Sequence, residues 1–355
     1  RDGFLIAALF WSVLALFGSL PLMLTGDAAL SITDAVFESF SGLTTTGASV
    51  ITGIEHLPES IRYYRQQLQW LGGMGIVVLA VAILPTLGVG GMALYRTEIP
   101  GPLKDSKLTP RITETAKALW YIYAALTVTC MLAYMAAGMS WFDALGHSFS
   151  TVAIGGFSTY DASIGHFDSA VIEMICVFFL IVSAVSFSLH FAAWREKRLT
   201  HYFQDPEARF LLLFLLGLAV ITVVSLWLTN TYGTERGLRH GIFQVVSVAT
   251  TAGFGVADFS AWPGALPFLL FMAAFVGGCS GSTGGGMKVI RIILILKQGM
   301  REVMRLIHPN AVIAVKVGKV SVPDGIAQAV WGFFSVYVML FFLMLVGVMA
   351  TGVDQ

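Results

Sequence analysis

Three short stretches, "TTTGAS" at 44–49, "AIGGFST" at 153–159 and "TTAGFG" at 250–255, set small hydroxyl side chains beside glycine in an otherwise apolar chain. The chemistry such residues offer is that of the backbone carbonyl oxygen. A loop whose successive carbonyls point one way needs backbone angles that a side chain resists and glycine accepts. Carbonyls converging on an axis replace the hydration shell of a cation. A further stretch, "GGCSGSTGGGMK" at 277–288, has six glycines and three Ser/Thr in its first ten residues and interrupts an apolar run from 266 to 296. Such a segment has little helix propensity where a membrane helix would otherwise continue.

Aligned on Gly47, Gly156 and Gly253, the three loops stay in register backwards without a gap. Thirteen residues upstream lie Asp34, Asp143 and His240, which open "DAVFESFSGL", "DALGHSFSTV" and "HGIFQVVSVA", and Ser41, Ser150 and Ser247 form a second column. Each run carries apolar residues at helical spacing, so each unit reads as span, short helix, glycine loop, span. A helix of about ten residues is about 15 Å long, enough to enter a membrane but not to cross it. The loop must then return to its own side. Non-helical backbone at that depth survives only where protein or a wet cavity satisfies it. Asp34 and Asp143 are expected as helix caps that accept from free N–H groups.

The elements that must position these loops follow from composition. Of 355 residues, 56% are hydrophobic and 12% charged, the formal net charge is zero, and the mean hydropathy is +0.79. These values describe an all-α, multi-pass integral membrane protein and argue against nucleic-acid binding. Spans are expected at 4–23, 70–87, 119–137, 171–194, 210–228, 266–296 with its glycine-rich break, and 328–350. The first lacks a basic leader and a small-residue cleavage site, so it is expected to be a span rather than a signal peptide. Alternating the spans puts seventeen Lys and Arg on one side and only Arg62, Arg65, Arg236 and Arg239 on the other. The basic side is therefore cytoplasmic. The opposite face carries Asp27, Asp34, Glu55, Glu59, Asp161, Asp168, Glu235 and Asp258, which would draw cations. Glu173 is read as interfacial. Segments 94–118 and 301–324 read as cytoplasmic loops, and Cys130, Cys176 and Cys279, all in apolar segments, make neither a disulfide framework nor a metal site.

The loop motifs, "GGCSGSTGGGMKVIR", "QLQWLGGMGIVVLAVAILP" and "EIPGPLKDSKLTPRITETAKALW" together resemble the Trk/Ktr/HKT superfamily of potassium transporters, and within it the TrkH group of bacterial membrane subunits. The resemblance runs along essentially the whole chain. It implies repeated helix–pore loop–helix units around a pseudo-fourfold pore in the bacterial inner membrane, with potassium as the ion and no organic cofactor. Carried onto this sequence, it places the ion-facing backbone at Thr45, Thr46 and Gly47, at Ile154, Gly155 and Gly156, and at Thr251, Ala252 and Gly253. It also implies a gate below the filter made of Gly277, Gly278, Cys279, Ser280, Gly281, Ser282, Thr283, Gly284, Gly285 and Gly286, with Lys288 and Arg291 at its cytoplasmic end. Those two cations also read as ordinary inside anchors. The expected partners are a second copy of the chain, as a homodimer, and a cytosolic nucleotide-binding regulatory ring docked on basic inner loops.

The units divide the chain at 1–95, 96–200 and 201–300, with an incomplete fourth over 301–355. Gly138 aligns with Gly352, which would start a fourth pore helix about two residues past Gln355, so the chain is expected to be a fragment. The alternative function is that of an intramembrane serine protease, with Ser280 of "GCSG" as nucleophile and His190 as the only histidine near a span. It leaves the aligned loops unexplained. A phosphate loop at 281–288 fails on spacing, because Val289 stands where Ser or Thr is needed.

Overall fold

The computed structural model describes residues 2–25, 30–78, 112–311, 313–318 and 320–352. The expected end of the second span at 79–87, the loop from 94 to 111 with Lys104 and Lys107, and Asp27 lie outside the described residues. Almost all regular structure is helical, as the composition requires. Helix α1 (Asp2–Gly18) and the short α2 (Leu20–Met23) form the first apolar segment and are separated at Ser19, whose hydroxyl donates to the Leu16 carbonyl at 2.7 Å. The remaining α-helices among the described residues are α3 (Ile32–Leu43), α4 (Glu59–Val78), α5 (Ile112–Ala136), α6 (Trp141–Val152), α7 (Ala170–Ala184), α8 (Phe187–Glu196), α9 (Thr200–Gln204), α10 (Pro206–Leu228), α11 (Thr234–Ala249), α12 (Leu266–Ala274), α13 (Val289–Ile307) and α14 (Asp324–Ala350). A two-stranded antiparallel hairpin, β1 (Lys316–Val317) with β2 (Val320–Ser321), pairs Lys316 with Ser321 between the last two helices.

The three helices expected before the glycine loops are α3, α6 and α11. Two of them open alike. Ser31 and Ser140 are the N-caps, and their hydroxyls accept from the backbone N–H of Asp34 at 3.2 Å and of Asp143 at 3.0 Å. The aspartates therefore stand three residues inside each helix, where each carboxylate accepts from the cap hydroxyl at 2.7 Å, rather than at the cap itself. This differs from a capping box in that the acid at the third position meets the cap hydroxyl and not the cap N–H. The third helix starts at Thr234, six residues before the expected His240, and Gly233 precedes it.

Hydropathy alone misplaces two spans. The second is expected from residue 70, yet α4 starts at Glu59. Its polar first half, with Arg65, Gln66 and Gln69 fully buried, runs through protein rather than lipid. The span expected over 171–194 is two helices, α7 and α8, bent by 91° across Val185 and Ser186. The segments expected as loops also shorten, because α5 already begins at Ile112 and α13 continues to Ile307. The expected break in the sixth apolar run is present, between the end of α12 at Ala274 and the start of α13 at Val289.

The core sits where α5, α6, α7, α10, α11 and α12 meet, around Tyr123, Tyr134, Phe187, Phe243 and Phe254, none more than 1% exposed. Outward positions remain apolar, as on α10, where Leu213 and Leu216 are both more than 60% exposed. That surface suits lipid rather than water. Helix α4 meets the end of α3 closely: a Cβ on Gly72 would stand 1.9 Å from the Leu43 carbonyl oxygen. Gly72→Ala should therefore cost about 1–3 kcal/mol as overpacking. Gly217→Ala is the control, since nothing lies within 4 Å of that position on α10. Thermal unfolding in detergent should show a lowered midpoint for the first variant only.

Candidate functional site

The three short helices end in one pattern. After α3, α6 and α11, the backbone N–H of Thr46, Gly155 and Ala252 donates to the carbonyl of Ser41, Ser150 and Ser247 at 2.9, 2.8 and 2.8 Å. Thr45, Ile154 and Thr251 are left-handed, with φ of 56°, 54° and 70°, and two residues on Gly47, Gly156 and Gly253 are left-handed at 80°, 82° and 81°. Left-handed backbone is costly for threonine and β-branched isoleucine. The same cost appears in all three loops. Alternating handedness directs successive N–H groups toward the helix end and leaves the carbonyls on the opposite face. In the first and third loops the glycine N–H shares the same serine acceptor, at 3.5 and 3.4 Å.

The loops converge. A Cβ on Gly47 would lie 2.0 Å from the Gly155 carbonyl oxygen and 3.6 Å from that of Ala252, and one on Gly156 would lie 2.0 Å from the Ala252 oxygen. Gly47 and Gly156 thus each abut a carbonyl of the next loop. A Cβ on Gly253 would meet no atom within 4 Å, so the ring of described loops is open beside it.

Behind the loops stands a set of braces that the motif reading missed. Glu38, His147 and Gln244 share one column of the repeat, four residues after Asp34, Asp143 and His240. Glu38 accepts from the Val50 N–H at 3.3 Å, His147 Nε2 meets the Ser158 hydroxyl at 2.9 Å, and Gln244 accepts from the Val256 N–H at 3.2 Å. The position was visible in the alignment; its three different side chains hid the shared role. Gln69 braces the second loop from α4, donating to the Gly155 carbonyl at 2.6 Å and accepting from the Phe157 N–H at 3.0 Å. The Gly155 carbonyl, expected to be free for an ion, therefore has one lone pair already engaged.

Arg65 and Glu38 form an ion pair at 2.6 Å, with side chains 1% and 0% exposed. Arg65 also donates to the Ser158 carbonyl at 3.3 Å and to the Ser49 hydroxyl at 3.0 Å, and its guanidinium lies 4.3 Å from the Phe157 ring centroid. Glu173, expected at an interface, is buried in protein and accepts from Arg239 Nε at 2.7 Å and Nη2 at 2.8 Å. Several acids of the expected outer face are similarly engaged: Asp161 accepts from the N–H groups of Gly53 and Ile54. The Arg239 guanidinium holds the Asp168 carboxyl below the usual carboxylate range, and hydrogen bonds from Ser260 do the same for Asp258.

The glycine-rich break lies against the loops. The Gly285 N–H donates to the Thr251 hydroxyl at 2.7 Å, and the Thr283 hydroxyl donates to the Val152 carbonyl at 2.9 Å. Gly277, Gly281 and Gly286 are left-handed at 67°, 71° and 70°, and a Cβ on Gly277 would stand 2.0 Å from the Gly285 oxygen. Residues Gly277 through Gly284 are buried, while Gly285 is exposed. The break also closes the bend between α7 and α8, where Cys279 N–H donates to the Ala184 carbonyl at 2.7 Å and Phe187 N–H to the Gly281 carbonyl at 3.0 Å. Lys288, left-handed at 73°, turns its ammonium back onto the Ser282 and Gly284 carbonyls. Arg291 donates to Met287 and lies 4.3 Å from the Phe333 ring centroid on α14.

Residues 1–352 match the family model TrkH, described as cation transport protein. The chain is 88% identical over its full length to the Trk system potassium uptake protein TrkH of Halomonas elongata, covering 74% of that protein, and 56% identical to its Escherichia coli K12 counterpart, again over 74% of it. The crystal structure of the potassium transporter TrkH from Vibrio parahaemolyticus superposes with a TM-score of 0.91 at 52% identity, over all of this chain and 73% of that one. The chain belongs to the TrkH family. Membership makes it a multi-pass membrane transport protein and not an enzyme, which overturns the protease alternative. Within this TrkH-family chain, Ser280 is 2% exposed and its N–H donates to Glu207 at 2.8 Å, while both His190 ring nitrogens are engaged by Tyr202 and the Val182 carbonyl. The expected base thus does not serve the expected nucleophile. Cys130, Cys176 and Cys279 are buried free thiols.

Breaking the Glu38–Arg65 pair leaves a charge buried without its partner. Glu38→Gln should destabilise the protein by about 3–5 kcal/mol, whereas Glu38→Leu with Arg65→Met should cost less than the single change. Thermal unfolding of both variants checks this ordering.

Proposed function

We propose that this protein takes up potassium across the bacterial inner membrane through a backbone-carbonyl filter, gated below by the glycine-rich break. The observation that carries the reading is the repetition of one unusual backbone trace in three converging loops. Side chains differ among the loops, whereas handedness, serine acceptor and glycine position do not. That constancy is what an ion site made of carbonyls requires. The C-terminal ends of α3, α6 and α11 point at the loops and add their negative dipole ends to the carbonyls. Relatives named as potassium uptake proteins support potassium as the transported ion. The ion is cargo, and no organic cofactor enters the scheme.

The proposed filter backbone is Thr45, Thr46 and Gly47, Ile154, Gly155 and Gly156, and Thr251, Ala252 and Gly253. The gate is the segment Gly277 to Gly286 with Lys288 and Arg291. Its ties to Thr251 and Val152 hold it against the loops, so movement there would change access from the basic side. The protein works as a homodimer and docks a cytosolic nucleotide-binding ring on that basic face, where α13 and the β1–β2 hairpin stand.

Potassium and sodium fluxes into liposomes test the filter and the gate separately. Gly156→Ser places a side chain against the Ala252 carbonyl, 2.0 Å from where its Cβ would stand. Potassium preference should fall by roughly tenfold, the equivalent of about 1.4 kcal/mol. Flux indifferent to this change would sink the filter assignment. Thr283→Ala removes the tie to Val152, worth about 1 kcal/mol, and should raise flux roughly fivefold with preference unchanged. Unaltered flux in that variant would count against the gate.

A further inference from the structure

A cavity of about 1000 Å³ lies between α5, the α7–α8 bend and the start of α10, on the side that carries the basic residues. Its wall is apolar, with Leu126 on α5, Ile181 on α7 and Val185 at the bend; toward its basic end stand Tyr121, Trp194 and Lys117. The polar groups of the deep lining are engaged: His190 bonds the Tyr202 hydroxyl at 2.8 Å and the Val182 carbonyl at 2.9 Å, and the Thr129 hydroxyl donates to the Ala125 carbonyl at 2.7 Å. The cavity therefore presents hydrocarbon inside and cationic charge at one end. Lys117 is exposed there, and α8 runs out through Trp194 into Arg195, Lys197 and Arg198. The one acid in that stretch, Glu196, is paired with His201 at 2.8 Å.

We propose that this cavity binds one anionic phospholipid of the cytoplasmic leaflet, its acyl chains against Leu126, Ile181 and Val185 and its phosphate at Lys117 and the basic end of α8. Four observations favour that occupant. The volume is of the size that holds a small-molecule ligand. A basic pocket between spans on the cytoplasmic side recognises acidic headgroups. Tyr121 and Trp194 are amphipathic aromatics of the kind that mark the headgroup level. A water-soluble anion would find no free side-chain donor among the described residues of the deep wall.

The site bears on the break through the bend. Ile181, Val182 and Val185 line the cavity, and the adjacent Ala184 carbonyl and Phe187 N–H are the groups that hold Cys279 and Gly281. A lipid filling the cavity braces that bend. The inference stands apart from the potassium reading, because its test measures lipid-dependent stability and not flux.

The purified protein, stripped of lipid in neutral detergent, is unfolded thermally with added phosphatidylglycerol or phosphatidylcholine. Phosphatidylglycerol should raise the midpoint by several degrees more than phosphatidylcholine, as a ligand that binds the folded state does. Ala125→Trp fills the cavity from an exposed position on α5 and should abolish the effect of both lipids. Lys117→Gln combined with Arg195→Gln should remove the difference between them. Equal stabilisation of the unaltered protein by the two lipids, or full phosphatidylglycerol stabilisation of Ala125→Trp, overturns the proposal. If Ala125→Trp does not fold, the charge variant decides, and an intact preference for phosphatidylglycerol in it overturns the proposal too.

Discussion

Backbone that leaves the helix inside a membrane protein must find a partner for every N–H and C=O, because hydrocarbon supplies none. This constraint organises the interior of the chain. The ends of α3, α6 and α11 meet it by turning N–H groups back onto Ser41, Ser150 and Ser247. The left-handed angles at Thr45, Ile154 and Thr251 follow from that turn. Carbonyls then face the other way, toward the neighbouring loop. Glycine is needed where one loop touches the next, since a Cβ on Gly47 or Gly156 would occupy the place of a carbonyl oxygen.

The two broken spans satisfy each other. At the α7–α8 bend a helix loses intrahelical bonds across Val185 and Ser186, and the break at 277–286 takes up the freed groups through Cys279 and Gly281. The same break reaches the end of α6 through Thr283 and the loop after α11 through Gly285. A change in either element therefore strains the other. Small residues permit this density, with Gly277 against Gly285 and Gly278 3.1 Å, by its would-be Cβ, from the Ala184 carbonyl.

Buried charge ties successive units together. Arg65 on α4 reaches Glu38 in the first unit and the Ser158 carbonyl in the second. Arg239 on α11 reaches back to Glu173 on α7 and to Asp168. Desolvation makes such pairs weak contributors to net stability and severe losses when one member is removed. What they contribute here is register, since a guanidinium with several fixed donors accepts only one arrangement of its carboxylate and carbonyl partners. Acids expected to draw cations are likewise partly structural: Asp161 fastens the segment before α4 to the one after α6.

The sequence by itself determined the class and the repeat. Hydropathy is a local property, and it located most spans; glycine and hydroxyl residues in register located the three loops and the break. The column at Glu38, His147 and Gln244 was present in that register but unreadable, because an acid, an imidazole and an amide perform one task there with different atoms. Local rules placed the caps at aspartate where serine serves, and they missed both the polar start of α4 and the bend after α7. Only the tertiary structure decided these. Whether Arg65 is a surface cation or a buried brace depends on Glu38 and Ser158, 27 and 93 residues away along the chain. Thr283 meets its acceptor across 131 residues. The partner of a backbone or charged group is chosen by what folding brings beside it, and that is not encoded in the neighbours along the chain.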